Sequence, residues 1–312
     1  MTVLSTAFLE ELHSKYLPLR QGKIADYIPE LSKARPDEFG IAVTTCSGET
    51  FSVGDFQKEF TIQSISKPFV YGLALEDLGR DFLRSKVGVE PTGDAFNSIV
   101  ELEENSHRPY NPMINSGAIA VTSFIQGASS AEKLNRILGL FSRYLGRTPH
   151  LDVPVFISER NTGHRNRAIA HLLRHFQVLS HDAVLDDVLD LYFQQCSIAM
   201  NARDLSSMAA TLANGGAHPT TGERAIRSEF VRDLLSLMFT CGMYDSSGEW
   251  AYSVGFPAKS GVSGGILAVV PGQMGIAVYS PLLDSRGHSV RGIKVCEELS
   301  ARLNLSIFDS TH

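Results

Sequence analysis

Strand-forming residues cluster at the two ends of this chain, and the long middle carries helical patterns. Phe39-Gly40-Ile41-Ala42-Val43-Thr44-Thr45-Cys46 is rich in β-branched residues, Ser47-Gly48 is a turn signal, and Phe51-Ser52-Val53-Gly54 can return. Phe60-Thr61-Ile62 reads as a third short strand. Strand signals come back in Trp250–Phe256, Ile266–Val270 and Ile276–Ser280, with Gly and Pro between them. The simplest assembly joins both groups in one antiparallel sheet. Terminal helices would flank it: Thr6–Leu17 carries Phe8, Leu9, Leu12 and Leu17 as a partial stripe, and Val290–Leu303 closes the chain. The expected fold class is therefore α+β, an antiparallel sheet with an inserted all-helical domain. Residues 1–75 and 245–312 would form the sheet domain and 76–244 the helical one. The active site would lie in the cleft between them, where pockets concentrate.

Within the middle, Asn111-Pro112 and Asn115-Ser116-Gly117 punctuate a loop before a helix at Ala118–Ile125. Ala131–Leu145, Arg167–Phe176, Asp182–Gln195 and Glu229–Phe239 read as further helices, the third with Val184, Leu185, Val188, Leu189 and Tyr192 on one side. Asn201 is a plausible N-cap, and Asn214-Gly215-Gly216 a C-terminal stop. Val155–Gly163 reads as irregular.

Composition removes several function classes. With 312 residues, 43% hydrophobic and 20% charged, the chain can bury a substantial core. A net charge of −6 without a basic cluster argues against a nucleic-acid partner. Cys46, Cys196, Cys241 and Cys296 are scattered, which fits reduced thiols in a cytoplasmic compartment and supports neither a metal site nor a disulfide framework. Met1–Leu9 does not resemble a signal peptide, and no apolar run is long enough for a membrane span. His164, His171 and His175 approach helical spacing among Arg165, Arg167 and Arg174, and read as a solvated polar face.

Chemistry enters at Ser64. Ser64 and Lys67 sit three apart where an apolar strand gives way to an apolar helix, with Pro68 suited to the first turn. Lys67 can then take the Ser64 proton, the Ser-x-x-Lys arrangement of an activated serine nucleophile. Alone, the pattern equally describes a helix-capping serine followed by a solvated lysine. A second element, Lys259-Ser260-Gly261-Val262-Ser263-Gly264-Gly265, lies far downstream at a strand boundary. Together the two are similar to the Ser-x-x-Lys and Lys-Thr-Gly elements of serine β-lactamases and penicillin-binding proteins, whose sheet is also split by a helical insertion.

A closer resemblance rests on Asp-Tyr-Ile-Pro (26–29), Phe-x-Ile-Gln-Ser-Ile-Ser-Lys (60–67), Asn-Pro-x-Ile-Asn-x-Gly-Ala (111–118), Ser-Glu-Arg (158–160), Arg-Asn-x-Ala-Ile-Ala (165–170), Cys-Gly-Met-Tyr (241–244) and Pro-Ala-Lys-Ser-Gly-Val-x-Gly-Gly (257–265). Over nearly its whole length the chain resembles the serine-dependent glutaminase family. It lacks a clear Ser-x-Asn or Tyr-x-Asn element of the β-lactamase type, and in this family tyrosines take that position.

The resemblance implies hydrolysis of the L-glutamine side-chain amide to L-glutamate and ammonia. Ser64 would be the nucleophile and Lys67 its base, once burial or a second cation lowers its pKa. Lys259 is the expected cation. Bringing a lysine near neutrality costs about 4 kcal/mol. The Ser64 and Val262 N–H groups would hold the oxyanion. Glu159 would take the α-ammonium, with Asn115, Asn166, Tyr192 and Tyr244 as further substrate contacts. Tyr244 could relay a proton to departing ammonia, and Tyr27 is a third tyrosine near Ser64 whose role stays open. No cofactor or metal is expected, and the family implies a homodimer or homotetramer. Two other readings remain: a β-lactamase-like serine esterase or peptidase, and a glutamine-binding sensor without turnover.

Overall fold

The computed structural model describes residues 3–93, 96–99, 102–103 and 107–309. In chain order its elements are α1 (Thr6–Tyr16), β1 (Gly40–Thr45), β2 (Thr50–Gly54), β3 (Phe60–Thr61), α2 (Ser66–Lys86), α3 (Asn115–Ser123), α4 (Ser130–Leu145), β4 (His150–Leu151), α5 (Val153–Thr162), α6 (His164–His175), α7 (Leu185–Cys196), β5 (Ile198–Met200), α8 (Ala202–Ala213), α9 (Ser228–Cys241), α10 (Ser247–Ser253), β6 (Ala258–Ser260), β7 (Gly265–Val270), β8 (Met274–Tyr279) and α11 (Val290–Leu303).

The two ends of the chain meet in a single antiparallel sheet of order β2-β1-β8-β7-β6. Its two faces bury alternate residues. Ile41, Val43, Ile266, Ala268, Ile276 and Val278 face a cluster shared with Leu9 and Leu12 of α1 and Val295 and Leu299 of α11. Ala42, Leu267, Val269, Ala277 and Tyr279 face a second cluster containing Leu205, Met208 and Ala209 of α8. Because both faces are covered, β7 is buried at every position and reads as an unbroken apolar run. A capping box starts α8: Asn201 accepts from the Asp204 N–H at 2.9 Å, and Asp204 accepts from the Asn201 N–H at 3.1 Å.

Four local expectations need correction. Phe60–Thr61 leaves the main sheet and joins β5 and β4 in a three-stranded sheet of order β3-β5-β4, so the middle of the chain is not all helix. Trp250–Phe256 is not a strand. It is mostly helix α10, and the Trp250 indole donates to the Phe256 carbonyl at 2.7 Å. Val155–Gly163 is not irregular: Asp152 caps α5 by accepting from the Val155 N–H at 3.0 Å, and Pro154 occupies its first turn. The helix expected from Ser64 opens as a 3₁₀ turn, Gln63–Ile65, before α2. Gly79, with φ 76° and ψ 167°, breaks α2 between Leu78 and Arg80. Among the described residues no helix is long and apolar enough to cross a membrane.

Candidate active site

From Phe60 through Leu75 every residue is buried except Ser64, which is partly exposed. The turn that presents it is strained: Gln63 has φ 51°, a region a side chain rarely adopts. Two hydrogen bonds hold Gln63 there. Its Nε2 donates to Glu159 Oε1 at 2.7 Å and to Thr61 Oγ1 at 3.1 Å.

Lys67 follows on the first turn of α2 and is fully enclosed. Its Nζ donates to Asn115 Oδ1 at 2.7 Å and to the Met113 carbonyl at 3.0 Å, neither of them a carboxylate. Burial pushes its pKa down to about 7, opposed by Cys196 and Glu159. A fall from the ordinary 10.5 to about 7 represents about 5 kcal/mol against the ammonium form. Of the two expected causes, burial is the larger for Lys67. Lys259 is lowered first by its own burial and then by Lys67, so the two amines lie within electrostatic reach of each other.

Lys259 lies on β6 and has no exposed surface. Its Nζ donates to the Ser260 carbonyl at 2.8 Å and the Gly242 carbonyl at 2.9 Å. It sits 3.9 Å from the centroid of the Tyr244 ring, and the Lys67 amine lies 5.6 Å from the same ring. Two buried amines from opposite ends of the sequence thus flank one phenol. Two glycines permit this approach. A Cβ at Gly242 would lie 1.8 Å from the Ala258 carbonyl oxygen, and one at Gly261 would lie 2.9 Å from the Ile62 oxygen. The strand of Lys259 is therefore seated directly on the turn of Ser64.

Tyr244 is buried at φ 53°. Burial raises its phenol and Ser64 pulls it back, so the two hydroxyls are neighbours, although their geometry falls short of a formed hydrogen bond. Among the described residues, neither the Ser64 nor the Val262 N–H donates to a carbonyl.

In front of Ser64 lies a cavity of about 110 Å³ walled by Tyr27, Gln63, Asn115, Glu159, Asn166, Tyr192 and Val262. Lys67, Lys259 and Tyr244 stand behind this wall. Glu159, on α5, is buried, and burial pushes its carboxyl up to about 8 against the pull of Gln63, Ser197 and Lys67. Asn115 links the parts: its Nδ2 donates to Asn166 Oδ1 at 3.0 Å, and its Oδ1 accepts from Lys67 and, at 3.4 Å, from the Tyr192 hydroxyl. Burial raises the Tyr192 phenol well above its ordinary value. Tyr27 is 52% exposed as a residue, yet its phenol is also raised, by burial of the hydroxyl end and then by Glu159.

All ten expected positions converge on this cleft. Sequence reasoning missed other residues that line the cavity, among them Gln63, Arg165, Phe193 and Cys196. Gln63 stood inside the quoted motif, and its tie to Glu159 has no sequence signal. His164, His171 and His175 are exposed on α6, as their polar surroundings imply. Among the described residues no group of three or more His, Cys, Asp or Glu is placed to hold a metal ion.

A partly exposed hydroxyl, a buried amine one helical turn on and free backbone N–H groups at a small polar pocket are the parts that an acyl-transferring hydrolase needs. The chain belongs to the glutaminase family, whose model matches residues 22–308. It is 60% identical over 301 residues to a glutaminase of Trichormus variabilis, covering 96% of this chain and 89% of that one. It is 58% identical over 302 residues to a glutaminase of Microcystis aeruginosa, covering 97% and 88%. A solved structure of a probable glutaminase from Bacillus subtilis, complexed with 6-diazo-5-oxo-L-norleucine, matches with a TM-score of 0.90 at 34% identity over 99% of this chain and 98% of that one. The expected fold class and the glutaminase reading both stand.

Proposed function

We propose that Ser64 attacks the side-chain carbonyl of L-glutamine to form a glutamyl-serine ester, which water then hydrolyses to L-glutamate. The observation that carries this reading is the isolation of Ser64 as the exposed position in a buried stretch, with Lys67 poised near neutrality behind it. As Ser64 Oγ bonds to carbon, its proton passes to the Lys67 amine. The oxygen that gains charge is held by the Ser64 and Val262 N–H groups. The proton returns to the departing nitrogen through Tyr244, and ammonia leaves. Lys259, when protonated, disfavours a second charge on Lys67 and stabilises negative charge on Tyr244 from the far side.

Glu159 takes the α-ammonium. A substrate cation beside it favours the carboxylate and so reverses the upward displacement seen in the empty site. Asn115, Asn166 and Tyr192 orient the α-carbon end, and Tyr27 closes the outer wall. The ligand of the Bacillus subtilis relative is an amino acid with a carbonyl at its fifth carbon, where glutamine carries its amide carbonyl, which supports glutamine as the substrate. We read residues 1–75 with 245–312 as one unit and 76–244 as the other, with homodimeric or homotetrameric assembly.

Ser64→Ala tests the reading. Ammonia release should fall to background while glutamine still binds. Continued turnover would overturn the serine mechanism. Turnover of chromogenic esters or β-lactams in preference to glutamine would favour the esterase or peptidase reading. Glutamine binding by the unaltered protein without turnover would favour a sensor.

A further inference from the structure

His288 is fully buried, and neither it nor Ser260 lines the cavity in front of Ser64. The loop between β8 and α11 holds it firmly. Asp284 Oδ1 accepts from the Arg286 and His288 N–H groups, both at 2.9 Å, and the Asp284 N–H donates back to the His288 carbonyl at 2.8 Å. Ser289 then caps α11 by accepting from the Gly292 N–H at 3.3 Å. So placed, His288 Nδ1 lies 2.8 Å from Ser260 Oγ on β6. Side chains alternate along a strand. Ser260 therefore points with its cross-strand partner Ile266 toward the α1–α11 layer, and Lys259 points the other way with Leu267.

The backbone carbonyl of the same Ser260 accepts from the Lys259 amine at 2.8 Å, so the bond from His288 fixes the residue that fixes Lys259. The His288 ring also lies 6.1 Å from the Tyr244 ring, nearly parallel at 20°. Among the described residues the Tyr244 hydroxyl makes no formed hydrogen bond. Its ring neighbours therefore orient the phenol: His288, Phe96 at 5.3 Å and the Lys259 amine at 3.9 Å. Burial above all holds the imidazole at about 4, helped by Lys259 and opposed by Asp284, Asp245 and the Met243 carbonyl, so near neutral pH it adds no third cation. We propose that His288 is a positioning residue for glutamine hydrolysis: through Ser260 and through the Tyr244 ring it holds the Lys259 amine and the Tyr244 phenol where the Ser64 reaction needs them. This role rests on the reading of Tyr244 as proton relay with Lys259 beside it. No bond is made or broken at the imidazole.

The test measures kcat and KM for glutamine in His288→Phe, which keeps a ring against Tyr244 but removes the Ser260 bond, in Ser260→Ala, and in the double variant. Calorimetric titration with L-glutamate counts intact clefts in each preparation, so a poorly folded fraction is not read as a slow enzyme. Per intact cleft, each single variant should lower kcat about tenfold and leave KM within about twofold, since neither residue lines the cavity. The double variant should fall no further, because both changes break the same bond. His288→Asn, whose amide can stand in for Nδ1, should bring kcat back to within about threefold of the unaltered protein. Should His288→Phe not fold, Ser260→Ala decides alone. A kcat per intact cleft within about twofold of the unaltered protein in Ser260→Ala, losses that multiply in the double variant, or a loss matched by missing clefts would each overturn the proposal. Ser64→Ala keeps the two readings apart. If it still turns over, the serine mechanism fails; if it is inactive while the His288 and Ser260 variants keep full kcat, the positioning role alone fails.

Discussion

The α1–α11 face and the cleft handle charge in opposite ways. On the outer face, Lys15 pairs with Glu298 at 2.7 Å, Arg302 reaches Glu298 at 3.2 Å, and Glu11 joins the same network. Lys15 and Glu11 are exposed, and water already solvates them. Such pairs add little to stability. In the cleft, Lys67, Lys259 and Glu159 are buried, and no salt bridge joins either lysine to a carboxylate among the described residues. Solvation has been removed without a counter-ion to replace it. The exposed charges cost nothing and do little, whereas the buried ones oppose folding and, in the proposed mechanism, serve the chemistry.

This contrast can be broken or sharpened by experiment. The largest effect belongs to turnover. Lys67→Ala should lower kcat by about 10²–10⁴-fold, measured as coupled glutamate formation, and a loss below tenfold would remove Lys67 as the base. Next, Glu159→Gln should raise KM for glutamine by about 10–100-fold with a smaller change in kcat, as expected for a charge-assisted contact to the α-ammonium.

Stability should move the other way. Lys67→Met should stabilise the ligand-free fold by about 1–4 kcal/mol in denaturant titrations at pH 6. The sign follows from its lowered pKa: between about 7 and 10.5 the unfolded chain binds the extra proton, so the penalty is full below pH 7 and fades as pH rises to 10.5. Glu159→Gln should stabilise in the opposite window. With its carboxyl raised from 4.5 to about 8, the folded chain binds the extra proton between those values, so the penalty is full above pH 8 and absent below pH 4.5. In the same measurement Lys15→Ala should give no resolvable change in unfolding midpoint at physiological salt. A clear loss there would mean that the outer network is cooperative.

The split sheet was legible because its strands are β-branched runs bounded by Gly and Pro, and both ends of the chain carried them. Ser64, Lys67 and Lys259 were legible as motifs. What escaped was set by tertiary context. The Trp250–Phe256 run looks like a strand, but the Trp250 indole bond to the Phe256 carbonyl and packing against the α11 side make it mostly helix. The start of α5 did carry a signal, Asp152 before Pro154, which a stricter reading of caps would have used. Strands of two or three residues such as β3, β4 and β5 have no periodicity to detect. Burial was named as one way to lower Lys67, but its weight against a second cation was not legible, because burial is a property of everything packed around an amine and not of its neighbours in sequence.

The partial exposure of Ser64 in an otherwise buried stretch makes the cleft chemically discriminating. An acylating or phosphonylating reagent that enters meets the partly exposed Ser64 hydroxyl, while the amines of Lys67 and Lys259, ordinarily the better nucleophiles once deprotonated, are buried. Access, more than intrinsic strength, separates the Ser64 hydroxyl from the two lysine amines, so a covalent probe of the cleft should mark Ser64 and leave both lysines unmodified.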